Sequence, residues 1–150
     1  MSEVGAQVEA LVATIAAALP EVDSASTAGY LPAIETQRVA LIATAFGHAD
    51  EGYVYSMGWL HVVHRPRLEF WVKFDVGDAE TCIALARNIG YRAMRAVVAG
   101  DGSGGYTLFT TGEGAGMTGA VDPTPLDPGN SGIPYLRYTL TVPVMQKEVV

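Results

Sequence analysis

The sequence predicts an α+β domain: a mostly antiparallel sheet with two helices packed on one face, plus a long Gly/Pro-rich loop or arm. Three observations carry this reading. Residues 65–76 alternate without a break, with Leu68, Phe70, Val72, Phe74 and Val76 on one side and Arg67, Glu69, Trp71, Lys73 and Asp75 on the other. Side chains in a strand repeat every two residues, so one face is core and the other carries charge. Two further segments have apolar residues at helical spacing, and the last well-patterned segment alternates again.

The first helix is expected to start after Ser2, a good cap, and to run to about Leu19, where Pro20 closes it. Val4, Val8, Leu11, Val12, Ile15 and Leu19 form its apolar stripe. Opposite them Ala6, Ala10, Ala13 and Ala17 form a second stripe, small and uncharged, flanked by Glu3 and Glu9. Alanine is the best helix former and tolerates water, so a solvated face is one reading. A helix sandwiched between its own sheet and a neighbouring subunit is the other.

Residues 20–36 read as an irregular connection, because Pro20, Gly29 and Pro32 interrupt them. A strand is expected from Val39 to Phe46, a turn from Gly47 to Gly52, and another strand from Tyr53 to Val63. Pro66 has no N–H for a ladder and marks a bend or an edge. Asp78 reads as the cap of a second helix, Ala79 to about Ala99, ended by Gly100. Its buried stripe is Cys82, Leu85, Ala86, Ile89, Ala93 and Val97, and its exposed one Arg87, Asn88, Tyr91, Arg92 and Arg95. One strand, Tyr106 to Thr111, is expected within the glycine-rich stretch 100–132. That stretch reads as a projecting arm ordered by a neighbour, with Tyr106, Leu108, Phe109 and Met117 as anchors. The closing strand runs from Pro134 to about Val144.

Composition bounds the function. A chain of 150 residues, 49% apolar and 17% charged, makes one folded domain (1–150), long enough to bury about 70% of its unfolded surface. Sixteen acidic against nine basic residues leave a formal charge of −7. Wrapping nucleic acid rests on phosphate neutralisation by Lys and Arg, which this balance does not favour. One cysteine, Cys82, leaves no internal disulfide and fits a reducing or a redox-indifferent compartment. The start lacks a basic leader segment, and no apolar run nears the roughly 20 residues of a membrane span, so cytoplasmic synthesis is expected.

The candidate chemistry is thin. Gly100-Asp-Gly-Ser-Gly-Gly105 and Gly112-Glu-Gly-Ala-Gly116 lack the lysine of a phosphate loop, and the first follows a helix rather than a strand; both read as turns. His61 and His64 are three apart on a strand and point to opposite faces, so they do not converge on one metal ion. Cys82 lies on a buried stripe, as a small core residue does. Glu69 and Asp75 share a strand face but lie roughly 20 Å apart, too far for paired-carboxylate catalysis. No catalytic residue, cofactor or metal site is expected. Arg65, Arg67, Lys73, Arg87, Arg92 and Arg95 gather six of the nine basic residues in one region. They are either solvated faces or a basic patch meeting an acidic patch on the next subunit.

Arg65-Pro-Arg-Leu-Glu-Phe-Trp-Val, then Asp78 and the helix with Ala86-Arg-Asn-Ile-Gly-Tyr-Arg-Ala93, and the ending Tyr135-Leu-Arg-Tyr-Thr-Leu-Thr-Val-Pro-Val144, fall in a familiar order. The chain resembles the tail terminator (tail completion) proteins of long-tailed bacteriophages from its first helix to its last strand. The resemblance implies a sheet with both helices on one side and a homo-oligomeric ring of six copies at the head-proximal end of the virion tail. It implies that the ring caps the tail tube, ends tube growth and joins the tail to the head, with the tube protein and a neck or head-completion protein as partners. DNA then passes through the channel without specific binding. The expected subunit contacts are Ala6, Ala10, Ala13, Ala17, Arg87, Arg92, Arg95, Tyr106 and Phe109. Two other readings stay open: another neck ring protein, such as a head-completion or stopper protein, and a small α+β ligand-binding domain or enzyme subunit with a site assembled between chains.

Overall fold

The computed structural model describes residues 3–26, 39–44, 51–56, 58–110, 116–122, 124–127 and 132–149. Helix α1 (Glu3–Ala18) leads through β1 (Ser24–Ser26), β2 (Val39–Thr44), β3 (Glu51–Ser56), β4 (Trp59–His64) and β5 (Arg67–Lys73) into α2 (Ala79–Ala99). Strands β6 (Thr118–Val121), β7 (Tyr135–Thr141) and β8 (Val144–Val149) follow. One sheet has the order β1-β2-β5-β7-β6 and a second the order β3-β4-β8. Every pairing is antiparallel except that of β1 with β2. The α+β class with both helices on one face of a mostly antiparallel sheet is therefore the fold.

The alternation of 65–76 and 134–144 positions the core. Leu68, Phe70 and Val72 of β5 and Tyr138 and Leu140 of β7 share one cluster with Val8, Leu11, Val12 and Ile15 of α1 and Ala86, Ile89, Ala93 and Val97 of α2. Burying such side chains is worth about 1.5–3 kcal/mol each, which makes this cluster the main source of stability. Phe70 meets the Tyr138 ring edge-on at 6.4 Å between centroids.

The two sheets share one ribbon. Arg67 faces Thr141 in the first sheet and His64 faces Val144 in the second, so two residues separate the sheets on each strand and the register never slips. Pro66 and Pro143 sit in those gaps. The Val142 N–H still donates to the Pro66 carbonyl at 3.1 Å, the half of the pairing that proline leaves possible. The expected strand 134–144 is thus β7 and the start of β8, interrupted at its own proline.

Other expectations shift. Tyr53 to Val63 is not one strand: Ser56 pairs with Trp59, and Gly58 takes φ 81° in the tight turn between them. A lone glycine inside an aromatic run hid that hairpin. Ser24–Ser26 forms a short parallel strand within the expected irregular connection. Asp78 makes no side-chain cap; instead Asp75 accepts from the Gly77 N–H in a 3₁₀ turn, Val76–Asp78, that enters α2. Leu85 is 38% exposed, and Cys82 and Phe74 are only half-buried, so they leave the expected core. Gly90 joins the buried stripe in their place. The proposed cap Ser2, the end of the 39–46 strand and the turn up to 50 lie outside the described residues.

The 100–132 stretch departs most. Its described residues lie against the chain's own body, not on a projecting arm. The Tyr106 hydroxyl donates to the Val97 carbonyl at 2.6 Å, and the ring fills space that a side chain at Gly100 or Gly104 would occupy. The Leu108 N–H meets Asp101 Oδ1, Leu108 bridges to Val144, and Gln7 ties Thr107 to Met145. Of the strand expected over 106–111, the described residues 106–110 form only a single bridge, at Leu108, and Thr111 lies outside the described residues; β6 pairs with β7 instead. On the other face of the sheet, Leu126 and Ile133 cover Trp71 and Tyr135. Trp71, expected on a charged face, is therefore only 4% exposed.

Phe70→Ala should cost about 3–5 kcal/mol in denaturant unfolding; a loss below about 1 kcal/mol would show that this face is not core. A Cβ on Gly90 would lie 2.2 Å from the Tyr138 ring. Gly90→Ala should therefore destabilise by about 1–3 kcal/mol although alanine is the better helix former, and an unchanged or raised midpoint would refute the contact. Burial pushes the Tyr106 and Tyr138 phenols above their usual 10.0. A raised folded value means a contribution fully present below pH 10 and lost as pH rises through it. Stability measured from pH 9 to 12 should fall, and Tyr138→Phe should flatten the fall.

Candidate functional site

The residues with most to offer lie on the outer surface of the two helices. Ala6, Ala13 and Ala17 of α1 are exposed, beside the exposed Glu9, while Ala10 is half-buried and packs against the core and Gly105. The helix carries no basic residue. Its outer surface is thus small, uncharged at most positions and acidic where charged.

Helix α2 is the opposite in kind. Arg87 and Arg95 are exposed, and the Arg95 guanidinium lies 5.9 Å from the centre of the Tyr91 ring. Arg92 is engaged within the chain: its two terminal nitrogens meet the two Glu21 carboxylate oxygens at 2.5 and 3.2 Å, and one also reaches Asn88 Oδ1. A fork-on-fork pair of this kind has directional strength, and it anchors the segment after α1 to α2. Arg92 is therefore a bracing residue more than a free cation.

The basic cluster seen in the sequence divides. Arg67 and Lys73 alternate with the core residues Leu68, Phe70 and Val72, which places them across the sheet from α2 and its arginines. Linear proximity misled because a strand and the helix that covers it expose their charges on opposite sides of the sheet. No single patch of six cations forms.

Of the two aromatic anchors, Tyr106 is 2% exposed and belongs to the chain's own core, so it is no surface contact. Phe109 is half-buried and lines a cleft of about 200 Å³ with Val98, Leu108, Met117 and Pro143. Val98 is 57% exposed and also meets a shallow depression formed by Met94, Arg95 and Ala99. Sequence reasoning missed Val98. The signal was there: it lies three residues beyond Arg95 and seven beyond Tyr91, on the exposed stripe.

On the other face, Arg137 of β7 stacks over its cross-strand partner Trp71 at 5.7 Å and pairs with Asp122 at 3.3 Å. The Trp71 Nε1 and Arg137 Nε atoms are buried there with no hydrogen-bond partner. Glu69 lies on this strand face, while Asp75 is used as a cap; the two carboxylates do not meet. The Cys82 sulfur accepts from the Asp75 N–H at 3.3 Å. His61 and His64 project to opposite sides of β4, and among the described residues no three His, Cys, Asp or Glu side chains gather as a metal site would require. No described helix is long and apolar enough to cross a membrane. No protein-family model matches the chain, and no curated protein sequence does either.

Proposed function

We propose that the chain is a structural protein that assembles head to tail into a ring, in the role of a phage tail terminator and without catalytic activity of its own. The observation that supports this reading most is the inequality of the two outer helix surfaces. Helix α1 offers alanines with Glu9, and α2 offers Tyr91, Val98 and Leu85 with Arg87 and Arg95. Joining the α1 surface of one copy to the α2 surface of the next sets small against large and acid against base, and such a head-to-tail contact makes a ring when its rotation closes.

In this reading six copies cap the tail tube at its head-proximal end, touching the tube protein on one side and a neck or head-completion protein on the other. The acidic balance of the chain suits a channel through which DNA passes, because a basic wall would retain DNA through counterion release. The half-shielded pairs Glu21–Arg92 and Asp122–Arg137 brace each subunit internally.

Ala13→Arg adds a long cation to an exposed position of α1, so the isolated protein should keep its circular dichroism and its unfolding free energy within about 0.5 kcal/mol. Tails assembled with it should grow to irregular lengths or fail to join heads in electron micrographs. Normal tails would reject the α1 contact. Labelled wild-type protein found anywhere but at the head-proximal tail end would reject the role itself. Ala10 is the poorer probe, since its partial burial makes a folding defect part of any result.

A further inference from the structure

The outward surface of α2 differs from that of a helix facing only water. Thr81, Ala84, Asn88, Tyr91, Arg95 and Val98 follow one another at alternating steps of three and four residues, and all are exposed. Such a seam runs straight along a helix. Arg95 is its sole charged member, and Tyr91 and Val98 are each 57% exposed. Charge of opposite sign sits toward the two ends, with exposed Glu80 in the first turn and Arg95 two turns beyond Asn88.

We propose that this surface is a two-fold interface with a second copy of the chain, the two α2 helices lying antiparallel about Asn88. Asn88 is eight residues after Glu80 and seven before Arg95. At about 1.5 Å per residue, a two-fold axis at Asn88 brings Glu80 of one copy to within about 1.5 Å of the height of Arg95 of the other. At about 100° per residue the two also fall on the same side of the seam. The same count sets Tyr91, three residues on, beside Ala84, four residues back, in the second copy. Acid meets base and a ring meets a methyl group, and symmetry makes each pair occur twice. A parallel arrangement would set Glu80, Arg87 and Arg95 each against its own copy, whereas the antiparallel one leaves only Arg87, one residue from the axis, so opposed.

The contact goes beyond the ring reading and does not depend on it, because it joins like surfaces and closes on two copies. Both contacts draw on Arg95, so they exclude one another, and the dimer is the form of the isolated chain. Sedimentation of the full chain should give a mass twice 15.8 kDa. Arg95→Glu should weaken the dimer about tenfold or more, and Glu80→Arg combined with Arg95→Glu in one chain should restore it. In a Cys82→Ala background, Asn88→Cys should form an 88-to-88 disulfide on mild oxidation, which only a two-fold axis near that residue allows. A wild-type chain that stays monomeric at high micromolar concentration overturns the proposal. So does a dimer insensitive to Arg95→Glu, or one in which Asn88→Cys does not cross-link. Circular dichroism of each variant separates a lost contact from a lost fold.

Discussion

The ribbon formed by β4–β5 and β7–β8 is the constraint on which the rest depends. Each strand is interrupted once by proline, and the two gaps are opposite and equal in length, so the register that begins at Trp59 with Val149 is still in force at Lys73 with Tyr135. A one-residue slip at either proline would turn every core side chain of one strand to the wrong face. The ladder instead passes the gap with the one hydrogen bond that proline permits, from Val142 to Pro66. Val142, Pro143 and Val144 are buried at this point, so apolar packing holds the ribbon where hydrogen bonding is reduced.

Everything that covers the ribbon is fitted to it by close contacts. Tyr138 projects from β7 between Gly90 of α2 and Gly119 of β6, and a side chain at either glycine would overlap the ring. The two glycines thus set how near a helix and an edge strand approach one tyrosine. Gln7 is 5% exposed and spends both ends of its amide on backbone: its oxygen accepts from Thr107 and its nitrogen donates to Met145. A buried amide satisfied in this way ties α1, the 107–109 segment and β8 into one unit. The glycine run 100–105 has a similar purpose, forming a close cap around Tyr106 at the end of α2.

The helices cover one face of the five-stranded sheet and Leu126 and Ile133 cover Trp71 and Tyr135 on the other, while the outer sides of α1 and α2 stay exposed. They differ in size and in sign of charge, as contacts between unlike faces require. Helix α2 also has an internal symmetry of its own, with an acid and a base nearly equidistant from Asn88.

Much of this was legible in the chain. Alternation over 65–76 and 134–144 and the helical spacing of 79–99 determined the class, the helix bounds and the inward residues Leu68, Phe70, Ile89 and Leu140, because periodicity encodes which side of an element is apolar. It also marked Arg87, Tyr91 and Arg95 as outward. Tertiary structure alone decided where the glycine-rich stretch went. Its composition has little periodicity, and its place depends on Tyr106 reaching Val97 and on Gln7 reaching across the sequence to residue 107. It alone decided that the arginines near in sequence stand on opposite sides of the sheet, and that Trp71 is covered while Leu85 is not. Those outcomes depend on which segment crosses which face, a matter of long-range packing that no local pattern records.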